Sequence, residues 1–208
     1  MAQSSPLPIG VLISGSGTNL QAIIDAIAHD GLNVRIVKVI SSRPDAYGLK
    51  RAAAAGIPTV SLSREAYEDA PAANAFIAQQ FLEAGAEYLV MAGYMRIIGP
   101  EVLQAFPDRV LNLHPALLPS FPGAHGIQDA FDAGVKITGV TVHFANEVYD
   151  QGPIIAQRAV AVREGETVEE LEARIHEAEY ELYPWVLGHL AAGDISVTPE
   201  RKVVIAHA

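Results

Sequence analysis

Hydrophobic positions along this chain fall into short, near-continuous runs, separated by longer stretches where apolar and polar residues recur at helical spacing. Pro8–Ile13 (PIGVLI), Val34–Ile40 (VRIVKVI), residues 57–62 (IPTVSL), Glu87–Met91, Arg109–His114, Thr138–Phe144 and Ile154–Val162 read as seven strands. Between the first of these, Asn19–Ala28, Ala46–Ala55 and Ser63–Ala84 carry helical patterns, the last with Phe76, Ile77, Gln80 and Phe81 near one face. Strands and helices that alternate, with the strands apolar on both faces, predict a mostly parallel sheet covered by helices. The expected fold class is α/β, a Rossmann-like three-layer α/β/α arrangement around about seven strands.

Thr167-x-x-Glu170 is a capping box opening a long helix whose apolar positions include Leu171, Ile175, Ala178 and Leu182, with a kink expected at Pro184. The tail ISVTPERKVVIA predicts a small hairpin across residues 198–201. With no internal repeat or linker, the expectation is one domain over residues 1–208, with residues 1–7 a flexible N-terminal tail and 194–208 a strand or hairpin tail. Half of the 208 residues are hydrophobic, enough for a sizeable core.

Lys and Arg number 14 against 24 Asp and Glu, a formal charge of −10, which argues against nucleic acid or an anionic membrane surface as partner. There is no cysteine, so thiolate and disulfide chemistry are excluded. No apolar run reaches the ~20 residues of a membrane helix, and MAQSSPL lacks the order of a signal peptide. A cytoplasmic protein is expected.

Gly15-Ser16-Gly17-Thr18-Asn19 lies between the first strand and the first helix. Glycines permit a tight turn there, and the exposed N–H groups of a helix start attract an anion, so the loop predicts phosphate binding. Leu20 stands where a dinucleotide fingerprint has its third glycine, and no Gly-Lys-Ser/Thr follows. Ser41-Ser42-Arg43 replaces the acidic residue that holds the ribose of NAD but suits a 2′-phosphate, which leaves an NADP-binding module as a rival reading.

The fifth strand ends in Leu111-Asn112-Leu113-His114-Pro115. Alternation puts Asn112 and His114 on one face, at the carboxyl end where open α/β sheets bind ligands. Downstream, GVTVHFANEVYDQGPII brings Asp150 before Gly152-Pro153. A carboxylate beside an imidazole orients the ring and favours its charged form. The three together suggest an amide for an oxyanion, an imidazole for proton transfer and a carboxylate to tune it, with the nucleophile supplied by a substrate. His143 is either structural or, with His114 and Asp150, part of a two-His-one-carboxylate metal site; His125 is either supporting or solvated.

ISGSGTNLQAII, LNLHPALLPSFPG and GVTVHFANEVYDQGPII together resemble the phosphoribosylglycinamide formyltransferases, members of the folate-dependent formyltransferase family. The resemblance runs from Ile9 to about Leu190. It implies transfer of the formyl group of 10-formyltetrahydrofolate to the amine of glycinamide ribonucleotide, in purine synthesis, without a metal. It implies a catalytic trio of Asn112 for the oxyanion, His114 as general acid and proton shuttle, and Asp150 to tune His114 and place a water. Gly17, Thr18 and Asn19 would hold the substrate phosphate and Glu179 the ribose hydroxyls. Met91 and Met95-Arg96-Ile97-Ile98 would form the folate wall, Asn112 would face the formyl donor, and Arg64 would lie near the folate tail. The partners implied are these two small molecules, for a monomer or homodimer. A 10-formyltetrahydrofolate deformylase shares the trio and is the near rival; a methionyl-tRNA formyltransferase would need a further domain and a basic surface. A non-catalytic nucleotide binder leaves Asn112, His114 and Asp150 without a task.

Overall fold

The computed structural model describes residues 5–206. By internal packing the chain divides into two compact units, Met1–Leu111 and Asn112–Ala208. The seven strands of the larger sheet follow the order β3-β2-β1-β4-β5-β6-β7, and the division falls inside β5. Their ranges are β1 Leu7–Ile13, β2 Val34–Ser41, β3 Thr59–Ser61, β4 Tyr88–Met91, β5 Val110–His114, β6 Ile137–Phe144 and β7 Ile154–Ala161. The expected α/β class with a mostly parallel sheet flanked by helices is what the chain adopts.

In the first unit β1 runs parallel to β2 and β4, and β2 parallel to β3. Val11 stands opposite Val39 on one side and Val90 on the other, all three fully buried. The near-continuous apolar runs of the sequence therefore mark strands covered on both faces. Each fully buried Val or Ile contributes roughly 1.5–3 kcal/mol relative to exposure. After β1 and β2 the chain moves outward to β3, then returns to the other side of β1 as β4. That reversal makes the carboxyl ends of β1 and β4 a topological switch point, the usual place for a ligand in such sheets.

Helices α1 (Thr18–His29) and α2 (Gly48–Ala54) lie close to expectation. The single helix expected over 63–84 is two elements, a short 3-10 turn at Glu65–Glu68 and α3 at Ala70–Glu83. Asp69 separates them: its carboxylate accepts from Ala72 N at 3.0 Å and caps α3, and Pro71 occupies the first turn. Proline has no N–H to give and clashes inside a helix, so Asp-x-Pro is a start signal that periodicity overrode. Two helices were not anticipated, α4 (Pro100–Ala105) and α5 (Gly126–Asp132). At six and seven residues they are too short to show a repeat.

In the second unit β6 and β7 pair antiparallel, with a register shift between Val142 and His143, and β7 buries Ile155 and Val160 while its other residues are at least partly exposed. Helix α6 (Val168–Ala192) packs on both. It buries Leu171, Ile175, Leu182, Val186 and Leu190. The Thr167–Glu170 capping box is formed in both directions, at 3.3 and 2.9 Å, and the helix continues through Pro184 to Gly193. The tail folds as β8 (Ile195–Val197) and β9 (Val203–Ile205), an antiparallel hairpin. Of the expected N-terminal tail, residues 1–4 lie outside the described residues, and Leu7 is already in β1 with its N–H on Asn33 O at 3.0 Å. Residues 207 and 208 also lie outside them.

Candidate active site

Asp150 is the centre of a buried polar cluster in the second unit. It sits in the left-handed region, φ 54°, on the loop between β6 and β7. Gly152 allows that loop to close down on β6: a Cβ there would stand 1.6 Å from Phe144 O, so no larger residue fits. Phe144 N donates to Pro153 O at 2.9 Å and ties the return. One carboxylate oxygen, Oδ2, accepts from Gly123 N at 2.8 Å and stands 3.4 Å from His114 Nδ1. The other, Oδ1, lies 3.4 Å from Asn112 Nδ2 and 3.6 Å from His143 Nε2.

Asn112 and His114 arrive from the last residues of β5, on the shared face that alternation predicted. His114 is 3% exposed, and its Nε2 lies 2.8 Å from Phe121 O. A carbonyl only accepts, so Nε2 carries a hydrogen, and Nδ1 is the nitrogen turned to the carboxylate. His143 follows the same logic on β6. Its Nδ1 lies 3.0 Å from Phe144 O and therefore donates, so Nε2, at 3.1 Å, accepts from Asn112 Nδ2. The Asn112 amide group thus bridges His143 and Asp150. Thr141, two residues before His143, accepts from Leu118 N and donates to Ala116 O, at 3.0 and 2.7 Å, fixing the chain just beyond Pro115.

Burial pushes the Asp150 carboxyl up, but the hydrogen bonds it accepts, the Gly123 N–H among them, and the neighbouring His114 ring outweigh it. The net effect holds the carboxyl below the ordinary aspartate value, so the cluster keeps an anion where a buried acid alone would be neutral. The arrangement can donate hydrogen bonds to a developing negative charge and pass a proton through an imidazole. Among the described residues no group of three or more His, Cys, Asp or Glu is arranged to hold a metal ion.

Glu179 lies elsewhere in this unit, on α6, with 4% exposure; its Oε2 pairs with His176 Nδ1 at 2.9 Å. His125 is exposed at the start of α5. The sequence left His143 without a settled role and gave no notice of Phe121 O, Gly123 N or His176. The Thr141–His143 alternation on an otherwise apolar strand was the one available signal for His143.

In the first unit the glycine loop leads from β1 into α1. Gly17, at φ 70°, is the residue before the helix, and a Cβ on it would fall 2.6 Å from Gly48 Cα at the start of α2. Gly48 N donates to Gly15 O at 3.1 Å, and Arg51 Nε donates to Ser16 O at 2.9 Å. The loop is therefore held by α2 while the first N–H groups of α1, at Thr18 and Asn19, stay at a helix start suited to an anion.

Beyond β4 the chain presents Met95 and Ile97, which are 74% and 76% exposed, with Arg96 between them. The Arg96 guanidinium lies over the Tyr67 ring, 4.5 Å from its centre. Ile98 is buried, and Met91 is buried in β4 opposite Leu12, so only part of the expected wall is outward-facing. Arg64 is exposed at the start of the 3-10 turn, where its carbonyl accepts from Tyr67 N at 3.1 Å.

The sequence profile of the formyl transferase family matches residues 8–187. Among curated proteins, the chain is 39% identical to the phosphoribosylglycinamide formyltransferase of Bacillus subtilis, over 86% of this chain and 92% of that one. It is 41% identical to the Haemophilus influenzae protein of the same name, over 89% and 87%. Its fold superposes on the crystal structure of glycinamide ribonucleotide transformylase 1 from Symbiobacterium toebii with a TM-score of 0.94, at 45% identity, covering 98% and 96% of the two chains. Profile, relatives and fold agree, and the chain belongs to the formyl transferase family, among the phosphoribosylglycinamide formyltransferases.

Proposed function

We propose that this protein transfers the formyl group of 10-formyltetrahydrofolate to the amine of glycinamide ribonucleotide, a step of purine biosynthesis. The observation that carries the reading is that one buried carboxylate, Asp150, gathers Asn112, His114 and His143 at the end of β5. No side chain of the cluster is a nucleophile that would form an acyl-enzyme, so the substrate amine attacks the formyl carbon directly.

As the amine attacks, negative charge grows on the formyl oxygen. Asn112 turns one of its two N–H groups from the His143–Asp150 bridge to that oxygen, a contribution of about 10²–10³ in rate for a single donor. His114 moves the proton from the attacking amine towards the leaving folate nitrogen. Its Nδ1 is the nitrogen facing Asp150, and the Phe121 carbonyl fixes the ring by holding Nε2. Asp150, kept ionised by its neighbours, orients the His114 ring and gives a water an acceptor for the relay.

Gly17, Thr18 and Asn19 supply the phosphate site through the start of α1, and Glu179 supplies a carboxylate for the ribose hydroxyls. Met95 and Ile97 offer apolar surface for the pteridine, with backbone groups of Arg96 and Ile98 beside it. Met91 contributes through the strand end, and Arg64 offers a cation for the folate tail.

The test is an absorbance assay of 10-formyltetrahydrofolate consumption with and without glycinamide ribonucleotide. Consumption that depends on the ribonucleotide and yields its formylated product is the expected result. Equal consumption without it makes the protein a deformylase, and none in either case refutes a folate-dependent activity.

A further inference from the structure

The segment Met95–Ile97 poses a physical problem. Met95 and Ile97 are the two most exposed large hydrophobic side chains among the described residues, yet they stand two residues apart on one loop. A free loop would fold such side chains against the protein. Three polar ties hold this one out, none of them part of the catalytic cluster.

At its front, Met95 N donates to Ser14 Oγ at 2.8 Å. Ser14 is 3% exposed, and its hydroxyl also bonds the Ser42 hydroxyl at 2.6 Å, so its position at the end of β1 is fixed from the β2 side. At its back, Gly99 N donates to Asn74 Oδ1 at 2.8 Å. Asn74 is 5% exposed and holds its own orientation by donating to Ala70 O at 2.9 Å within α3. In the middle, Arg96 lies over Tyr67, whose hydroxyl bonds the Tyr94 hydroxyl at 2.8 Å. Both backbone anchors are buried side chains from distant parts of the sequence, and each spends its hydrogen bond on this loop.

We propose that Ser14 and Asn74 are positioning residues for the formyl donor. They fix the two ends of Met95–Gly99, so that the apolar wall is already set when the folate arrives and little ordering is left to the binding step. The proposal rests on the reading of Met95–Ile98 as the folate wall. The hydroxyl of Ser14 acts through the Met95 N–H and touches no substrate.

Ser14→Ala and Asn74→Ala each remove one anchor. Each is expected to raise the KM for 10-formyltetrahydrofolate about fivefold to tenfold, the reach of one lost hydrogen bond. The kcat and the KM for glycinamide ribonucleotide should stay within about twofold of the parent. A purely structural role would lower melting temperature and yield of folded enzyme without separating the two KM values. Tyr67→Phe keeps the ring beneath Arg96 and removes only the bond to Tyr94; it should raise the donor KM about twofold to threefold, and it provides the measurement if a buried variant does not fold. Ile97→Ser reads the wall itself. If it raises the donor KM while folded Ser14→Ala, Asn74→Ala and Tyr67→Phe do not, the anchoring proposal is overturned and the wall stands. If Ile97→Ser leaves the donor KM unchanged, the wall reading fails and the proposal with it.

Discussion

Gly152→Ala tests most directly whether catalysis depends on where Asp150 is held. The new Cβ would lie 1.6 Å from Phe144 O and 2.8 Å from Phe144 C. A real Cβ keeps at least about 3.0 Å, so the two backbones must part by about 1.4 Å. Neither side yields without consequence. Phe144 O receives the His143 Nδ1 hydrogen and Phe144 N donates to Pro153 O, so moving β6 drags His143 away from Asn112. Moving the loop carries Asp150, two residues earlier. A shift of that size takes the 2.8 Å bond from Gly123 N to about 4 Å, outside hydrogen-bond range. It also opens the 3.4 Å approach of His114. Misplacement of about 1 Å can cost ~10² in rate, so kcat is expected to fall about a hundredfold. Overpacking adds roughly 1–3 kcal/mol of destabilisation, a loss of several degrees in Tm. Initial rates at saturating levels of both substrates, with thermal melts on the same samples, read both effects. A folded variant whose kcat lies within threefold of the parent would refute the idea that the placement of this carboxylate governs the reaction.

His114→Ala should lower turnover by about 10²–10⁴ while the ribonucleotide still binds, as single-turnover rates and equilibrium titration would show. Asn112→Ala should cost about 10²–10³ if its N–H serves the formyl oxygen; parental rates would move the chemistry off β5. Gly17→Ala forces a left-handed residue with a side chain against Gly48, and the KM for the ribonucleotide should rise about tenfold or more, with the donor KM unmoved. The Glu179 bond raises the His176 pKa above the ordinary imidazole value of about 6.5, so this pair stabilises the fold fully below that pH and loses its effect as pH climbs through the raised value. The imidazole is 38% exposed, and solvent screening keeps the pair under about 1 kcal/mol. His176→Gln should therefore melt about 1–3 °C lower at pH 5.5 and match the parent at pH 9; an equal deficit at both would place the effect in packing instead.

The sequence made the strands legible because burial on both faces leaves near-continuous apolar runs, as in β1 and β4. It made Asn112 and His114 legible because polar residues on one face of such a strand break that pattern. What stayed hidden is backbone chemistry. Phe121 O and Gly123 N act through groups every residue possesses, so no residue type announces them. The split at Asp69 is written in Asp69-x-Pro71, but the apolar spacing continues across it and masks the start signal. His143 remained open because a donor to a carbonyl and an acceptor from an amide look alike until their partners are known.

The contact between Gly17 and Gly48 has an evolutionary consequence. Two backbones touch where neither residue has a side chain, at the starts of α1 and α2. Most close contacts in a protein can drift, because a larger residue on one side is answered by a smaller one on the other. Here both partners are already at the minimum, so no compensating substitution exists at either position. A side chain at either site therefore demands that the whole of α2 move away from the loop, a change that no single substitution elsewhere offsets.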